Sequence, residues 1–264
     1  MKITIGADPE IFLTRNKKFI SGHGIIPGNK KEPHKVNGGA VQLDGMAAEF
    51  NILPVSHGRE MRLGIDTVLS ELRKMLPDGV DFSTESSANF DETYMASQPD
   101  ETKVLGCDPD FNAYTGQPNP RPDQHPTMRT AAGHVHIGWE GAEEESSSEK
   151  MANCITITRQ LDFYLGIPSL ILDPKGGPRR TMYGKAGAFR PKSYGVEYRV
   201  LSNFWIFSSA YIHWVAVQTK AAIDTLTSLN PYEYYTHYQN IAKNIIDNND
   251  VKNARTWTPR GWLP

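Results

Sequence analysis

The period of the hydrophobic positions changes several times along the chain, and each change marks an element. Lys2 to Leu13 reads as a strand interrupted at Asp8-Pro9, and Ala47 to Leu53 as a second short strand. Between them, GHGIIPGNKKEPHKVNGGAVQLDG is so rich in Gly, Pro and Asn that a long loop is expected. From Arg59 to Leu76 the residues Met61, Ile65, Val68, Leu69, Leu72 and Leu76 recur at helical spacing, which predicts one buried stripe on an amphipathic helix. Residues 79–115 read as short strands and turns. The segment 116–129, carrying Pro118, Pro120, Pro122 and Pro126, is excluded as helix because proline removes a donor and clashes with the preceding turn.

Ala131 to Trp139 returns to strand patterning. Ser146-x-x-Glu149 is a capping box that opens a helix with the stripe Met151, Cys154, Ile155, Leu161 and Leu165. A basic loop, Lys175 to Lys192, then precedes a strand from Tyr194 to Leu201. Phe204, Phe207, Tyr211, Trp214 and Val215 predict one long helix. A last helix is expected from Asn230-Pro231, with Glu233 at the box position and Tyr235, Tyr238, Ile241, Ala242 and Ile245 on its face. Strands and helices alternate without the cadence of parallel crossovers. The expected class is α+β, an antiparallel or mixed sheet with helices packed on one side.

Composition narrows the function classes. A chain of 264 residues can bury its own core, and a net charge of -2 from 28 basic and 30 acidic residues offers no global field for nucleic acid or an anionic membrane. The two cysteines, Cys107 and Cys154, lie outside any C-x-x-C pattern and read as reduced thiols. No run of eighteen apolar residues occurs, and the first residues lack a signal-peptide succession, so a soluble cytoplasmic protein is expected.

Chemistry enters through four strand-like pairs spaced two apart, which places each pair on one face: Asp8 with Glu10, Glu49 with Asn51, His134 with His136, and Glu197 with Arg199. The alternate positions Val135, Ile137, Trp139, Val196, Tyr198 and Val200 are apolar. One face is therefore expected to be wet and rich in ligating groups while the other packs on helices. Gathered on one face, Asp8, Glu10, Asp44, Glu49 and Glu197 would repel one another unless a cation neutralised them. Mostly oxygen donors favour Mg²⁺ or Mn²⁺ over Zn²⁺, although the His-x-His pair also fits a zinc hydrolase or two hydrogen-bonded structural histidines. Lys175, Arg179, Arg180, Lys185, Arg190, Lys192 and Arg199 form a basic stretch opposed only by Glu197, suited to a nucleoside triphosphate and its transferring phosphoryl group. A nucleic-acid patch is the plainer alternative, but the stretch has few aromatics for stacking bases. Neither a P-loop nor a Rossmann fingerprint is present.

The blocks GADPEIFL, LDGMAAEFN, GHVHIG and RRTMYGKAGAFRPKSYGVEYRVLSNFW, ordered between residues 6 and 205, resemble the glutamine synthetase and γ-glutamylcysteine ligase superfamily, and more narrowly its phage COOH-NH2 ligase type 2 group. The resemblance implies a single catalytic domain over 1–264, a glutamine synthetase-like antiparallel sheet forming a funnel-like cleft, and ATP with two or three Mg²⁺ ions. It implies metal ligation by Asp8, Glu10, Asp44, Glu49, His134 and Glu197, with Glu10 and Glu49 sharing one ion and Asp8, His134 and Glu197 another. It places His136 near the nucleotide, with Lys185 a further nucleotide contact, and gives Arg180, Arg190 and Arg199 to phosphates or the acyl phosphate. Asn51 and Arg129 become substrate contacts. The implied activity joins a carboxylate to an amine on a metabolite, peptide or protein, with no nucleic acid or membrane as partner. Asp8 departs from the pattern, being shorter than the glutamate usual in glutamine synthetases. A metal-dependent hydrolase and a non-catalytic phage protein keeping the fold are the rivals.

Overall fold

Pro9 has no N–H for a strand ladder, and the chain changes sheet where the sequence breaks. The computed structural model describes residues 2–103, 110–122, 125–228 and 240–264. Its strands are β1 Ile3–Ala7, β2 Glu10–Ile11, β3 Leu13–Arg15, β4 Lys18–Ile20, β5 His34–Val36, β6 Gly39–Asp44, β7 Ala47–Ile52, β8 Val80–Phe82 and β9 Ser87–Asn89. They continue with β10 Phe111–Asn112, β11 Met128–Thr130, β12 Val135–Trp139, β13 Ala188–Lys192 and β14 Gly195–Tyr198. Every ladder is antiparallel. The largest sheet runs β1-β12-β14-β13-β10 and a second runs β2-β7-β6-β5, with β4-β3-β8 and β11-β9 as smaller sheets. The class is α+β.

The helix Gly58–Lys74 buries Met61, Ile65, Val68 and Leu72, the expected stripe, against β6, β7 and the long helix Ser209–Ser228. The helix Ser147–Leu161 opens on the expected capping box: the Ser146 Oγ accepts from the Glu149 amide while the Glu149 carboxylate accepts from the Ser146 amide. It packs on β13 and β14; Val196 and Tyr198 of β14 are fully buried, as are Val135 and Ile137 of β12. Each such apolar burial contributes about 2 kcal/mol. No helix among the described residues is long and apolar enough to cross a membrane.

Several expectations are corrected. The long loop before β7 holds a hairpin, β5–β6, closed by Asn37-Gly38 with Gly38 at φ 83, a conformation glycine adopts without strain. Residues 79–115 also hold two short helices, Glu92–Ser97 and Asp100–Lys103. The basic loop holds a helix, Gly177–Met182, with Pro178 in its first turn, and then β13. The helix expected from Phe204 starts at Ser209. Before it Asn203–Phe207 is a 3-10 turn, capped by the Ser202 hydroxyl and tied by Asn203 Nδ2 to the Glu10 carbonyl at 2.9 Å. The helix after Leu161 passes through a π-helical turn, Asp162–Gly166, before resuming at Ile167. The start expected for the last helix at Asn230, and Cys107, lie outside the described residues; a helix is present at Ile241–Asp247. Cys154 is buried.

Candidate active site

Register builds the site before any side chain is considered. Across the large sheet Gly6 faces His136, His136 faces Glu197, and Glu197 faces Arg190, one row over four strands. Across the second sheet Glu10 faces Glu49, and Glu49 faces Gln42. Asp8, between β1 and β2, belongs to neither ladder and joins the two rows. The face expected to be wet is instead enclosed: Glu197 is fully buried and Arg199 and His134 nearly so. The second sheet adjoins β1, where Val55 just past β7 bridges Ile5, and the cationic side chains around Glu197 close it off from solvent.

In the first row, Asp8 Oδ1 lies 3.1 Å from His134 Nδ1 and 2.9 Å from His136 Nε2. Glu197 lies 3.4 Å from His134 Nδ1, 3.3 Å from Arg190 Nη1 and 2.6 Å from Lys192 Nζ, and also pairs with Arg199. These cations decide protonation. Burial pushes the Asp8 carboxyl up, but His136 and His134 hold it well below the usual range. Burial and Asp8 act likewise on Glu197, yet His134, Arg199 and Arg190 bring it down to about 2. Burial and the Arg199 guanidinium push His134 down to about 4, so it is neutral. His136 goes up, because Asp8 and Glu197 outweigh its burial. Tyr194, in the turn between β13 and β14, hydrogen-bonds His136 Nδ1, and burial with Asp8 and Glu197 pushes its phenol up.

The second row has fewer cationic partners. Glu10 Oε2 accepts from the Ala132 amide at 2.9 Å, Glu49 Oε2 accepts from Gln42 Nε2 at 2.8 Å, and Asp44 pairs with Lys30 at 3.0 Å. Burial and then Asp44 raise Glu10 to about 7. Burial, then Asp8, Asp44 and Glu10, push Glu49 well above its ordinary value.

The expected basic residues fall in different places. Arg190 and Arg199 stand at the site, on Glu197, with Arg199 Nε also 3.4 Å from Asp110. Arg180 faces the other way: it donates to Asn249 Oδ1 at 2.9 Å and pairs with Asp173 at 3.6 Å. Arg179, its neighbour, is the one that reaches the cavity, held by the carbonyls of Val200 and Arg199 at 2.9 and 3.0 Å. Lys185 is exposed and lines neither cavity described below. Arg129 is buried on β11, its guanidinium donating to the carbonyls of Lys103, Met128 and His125.

Two cavities flank the carboxylates. One of about 70 Å³ is lined by Glu10, Asp44, Arg129, His134, Arg179 and Arg199. The other, about 420 Å³, is lined by Asp8, Glu49, Asn51, His136, Gly6 and Tyr194, among others. The donor chemistry suits cations. Asp8, His136 and Glu197 present ligand atoms within 4.8 Å of one another. That set contains His136, whereas the family resemblance assigned His134. The Glu10, Asp44 and Glu49 row is all oxygen, and the raised pKa of Glu10 and of Glu49 expresses burial and the crowding of carboxylates with too little counter-charge, which a hard divalent ion would supply.

Arg179 and Tyr194 were not singled out as site residues from the sequence. Pro178 at a helix start marks the turn that aims Arg179, and the two-residue turn Ser193-Tyr194 marks an aromatic held at a hairpin tip.

No curated protein matches the chain. Residues 130–249 match the model of a family described as Phage phiEco32-like COOH.NH2 ligase-type 2, a stretch that carries both histidines, Arg179, Arg180, Arg190, Arg199 and Glu197 but begins after Arg129 and after Asp8, Glu10, Asp44 and Glu49. Over that stretch the chain is similar to the carboxylate–amine ligase family that its motifs resemble.

Proposed function

We propose that the chain is an ATP-dependent carboxylate–amine ligase with a glutamine synthetase-like fold, its residues 1–264 acting as one catalytic unit. The observation that carries this reading is the meeting of two carboxylate rows, one closely ringed by cationic side chains and one much less so, between two cavities of unequal size. Only the larger cavity has room for a nucleoside triphosphate. The smaller suits a carboxylate, beside Arg179 and Arg129, whose donors meet only neutral oxygens and the Met95 sulfur among the hydrogen bonds described.

Glu10, Asp44 and Glu49 would hold one divalent ion and Asp8, His136 and Glu197 another, with His134 bracing Asp8 and Glu197. Bound there, Mg²⁺ supplies neutralisation of phosphate charge and orientation of the reacting oxygens. The substrate carboxylate attacks the γ-phosphorus, forming a C–O–P link as ADP departs with the bonding pair. The amine then attacks the acyl carbon, phosphate leaves, and the amine proton goes to a base. Direct condensation of carboxylate and ammonium is uphill in water; phosphorylation provides the leaving group. Arg190 and Arg199 neutralise charge that grows during transfer, and the enclosed face limits hydrolysis of the acyl phosphate.

Thermal unfolding tests the reading. A melting temperature raised by ATP and Mg²⁺ together, and by neither ATP with EDTA nor ZnCl₂, is the expected result. A rise with ZnCl₂ alone, and none with MgATP, overturns it in favour of a zinc hydrolase.

A further inference from the structure

The lining of the larger cavity changes along β1 and β12. Asp8, Glu49 and His136 line it beside the carboxylates; Thr4, Pro54 and Gly138 carry no ionisable side chain, and Tyr194 reaches from beside Gly138 to His136. Thr4 and Ala7 on β1 are separated by about 10 Å of extended chain, comparable with the reach from a nucleobase through ribose into a triphosphate.

Tyr194 is an unusual wall for such a space. Its hydroxyl is tied to His136, but the residue is 40% exposed, so an aromatic face is left open beside the cavity. The floor is bare. Thr4 pairs with Gly138 and Gly6 with His136 across β1 and β12. At Gly138 a side chain is excluded by packing, since a Cβ would lie 2.7 Å from Thr4 Oγ1. At Gly6 packing makes no such demand: a Cβ would meet only the His136 Cβ, at an ordinary 3.5 Å, and φ there is not positive. What the missing side chain at Gly6 leaves is room above the floor.

We infer that Tyr194 is the nucleobase platform, its ring stacking on the base while Gly6 leaves the floor clear for the sugar and phosphates leading to Asp8 and Glu49. The inference rests on the nucleotide proposed above and adds the group that orients it. A π-face recognises any base, so stacking by Tyr194 fixes position more than identity.

Calorimetric titration of the whole chain with MgATP and with magnesium tripolyphosphate separates the possibilities. Tyr194→Ala is expected to weaken MgATP about tenfold while leaving tripolyphosphate within about twofold, and Tyr194→Phe to bind MgATP within about threefold of the parent. Gly6→Val should weaken both ligands. Retained tripolyphosphate binding shows that Tyr194→Ala is folded. Unchanged MgATP affinity in Tyr194→Ala, or an equal loss of both ligands, overturns the platform, as does Tyr194→Phe failing as badly as Tyr194→Ala. A parent chain that binds tripolyphosphate but gains nothing from the base overturns the platform alone, and one that binds neither overturns the ligase reading with it.

Discussion

The two carboxylate rows are built from the same residue types, at similar depth, a few ångströms of chain apart, and they titrate in opposite directions. Glu197 is fully buried and strongly acidic, because two arginines, a lysine and a histidine surround it. Glu10 and Glu49 have an amide N–H and a glutamine for company, and each is pushed up. Burial alone therefore does not set the state of a buried acid. The sign of its neighbours does, and a site can hold one half ready-charged while the other waits for a cation.

The largest effect that would break this contrast is Glu197→Ala. It leaves the cluster of Arg190, Lys192 and Arg199 without its buried counter-charge, and urea unfolding should show a loss of roughly 3–5 kcal/mol. Next is pH. Glu10 has a folded value of about 7 against an ordinary 4.5, so the protonated form is favoured by folding. Its contribution is fully present below 4.5 and is lost as pH rises through 7. In EDTA, the stability of the parent relative to Glu10→Gln should fall by about 3 kcal/mol across that window, and a flat difference would mean that the two rows are alike. His134 acts the opposite way, and the subtraction removes it. Third, Glu49→Gln keeps a partner for Gln42 and should change stability in EDTA by less than about 1 kcal/mol, while abolishing the rise in melting temperature expected with Mg²⁺ and ATP together. Smallest is Ser146→Ala, remote from both rows. Loss of the cap should cost about 1 kcal/mol and leave the MgATP-induced shift intact, showing that stability and ligand response separate.

The acids and histidines were legible because strand geometry needs only a two-residue spacing to put His134 with His136, or Glu197 with Arg199, on one face. The helix stripes of Met61 to Leu72 and the Ser146 cap were legible for the same local reason. What escaped was set by rotation and by closure. Arg179 and Arg180 are adjacent on a helix, so they point about 100° apart, and nothing in the basic run says which one meets the cavity. The hairpin β5–β6 was hidden by its glycines and lysines, although Asn37-Gly38 between short runs is a turn signal. That the polar face is enclosed follows only from side chains of separate strands meeting over it, a tertiary fact that alternation along a strand does not carry. Tyr194 escaped because an aromatic at a turn has no periodicity to betray it.

The break at Asp8-Pro9 also has a kinetic consequence. Glu10 meets Glu49 through neighbouring strands about forty positions apart, and the hairpins β5–β6 and β6–β7 close over two residues each. Asp8 meets His134 only after a separation of 126 residues is spanned. Chain-closure entropy makes the first assembly fast and the second slow, so during refolding the oxygen-rich row should form ahead of the histidine row. A divalent ion present during that interval would find three carboxylates before it found an imidazole, and the order of assembly would itself favour a hard cation over a soft one.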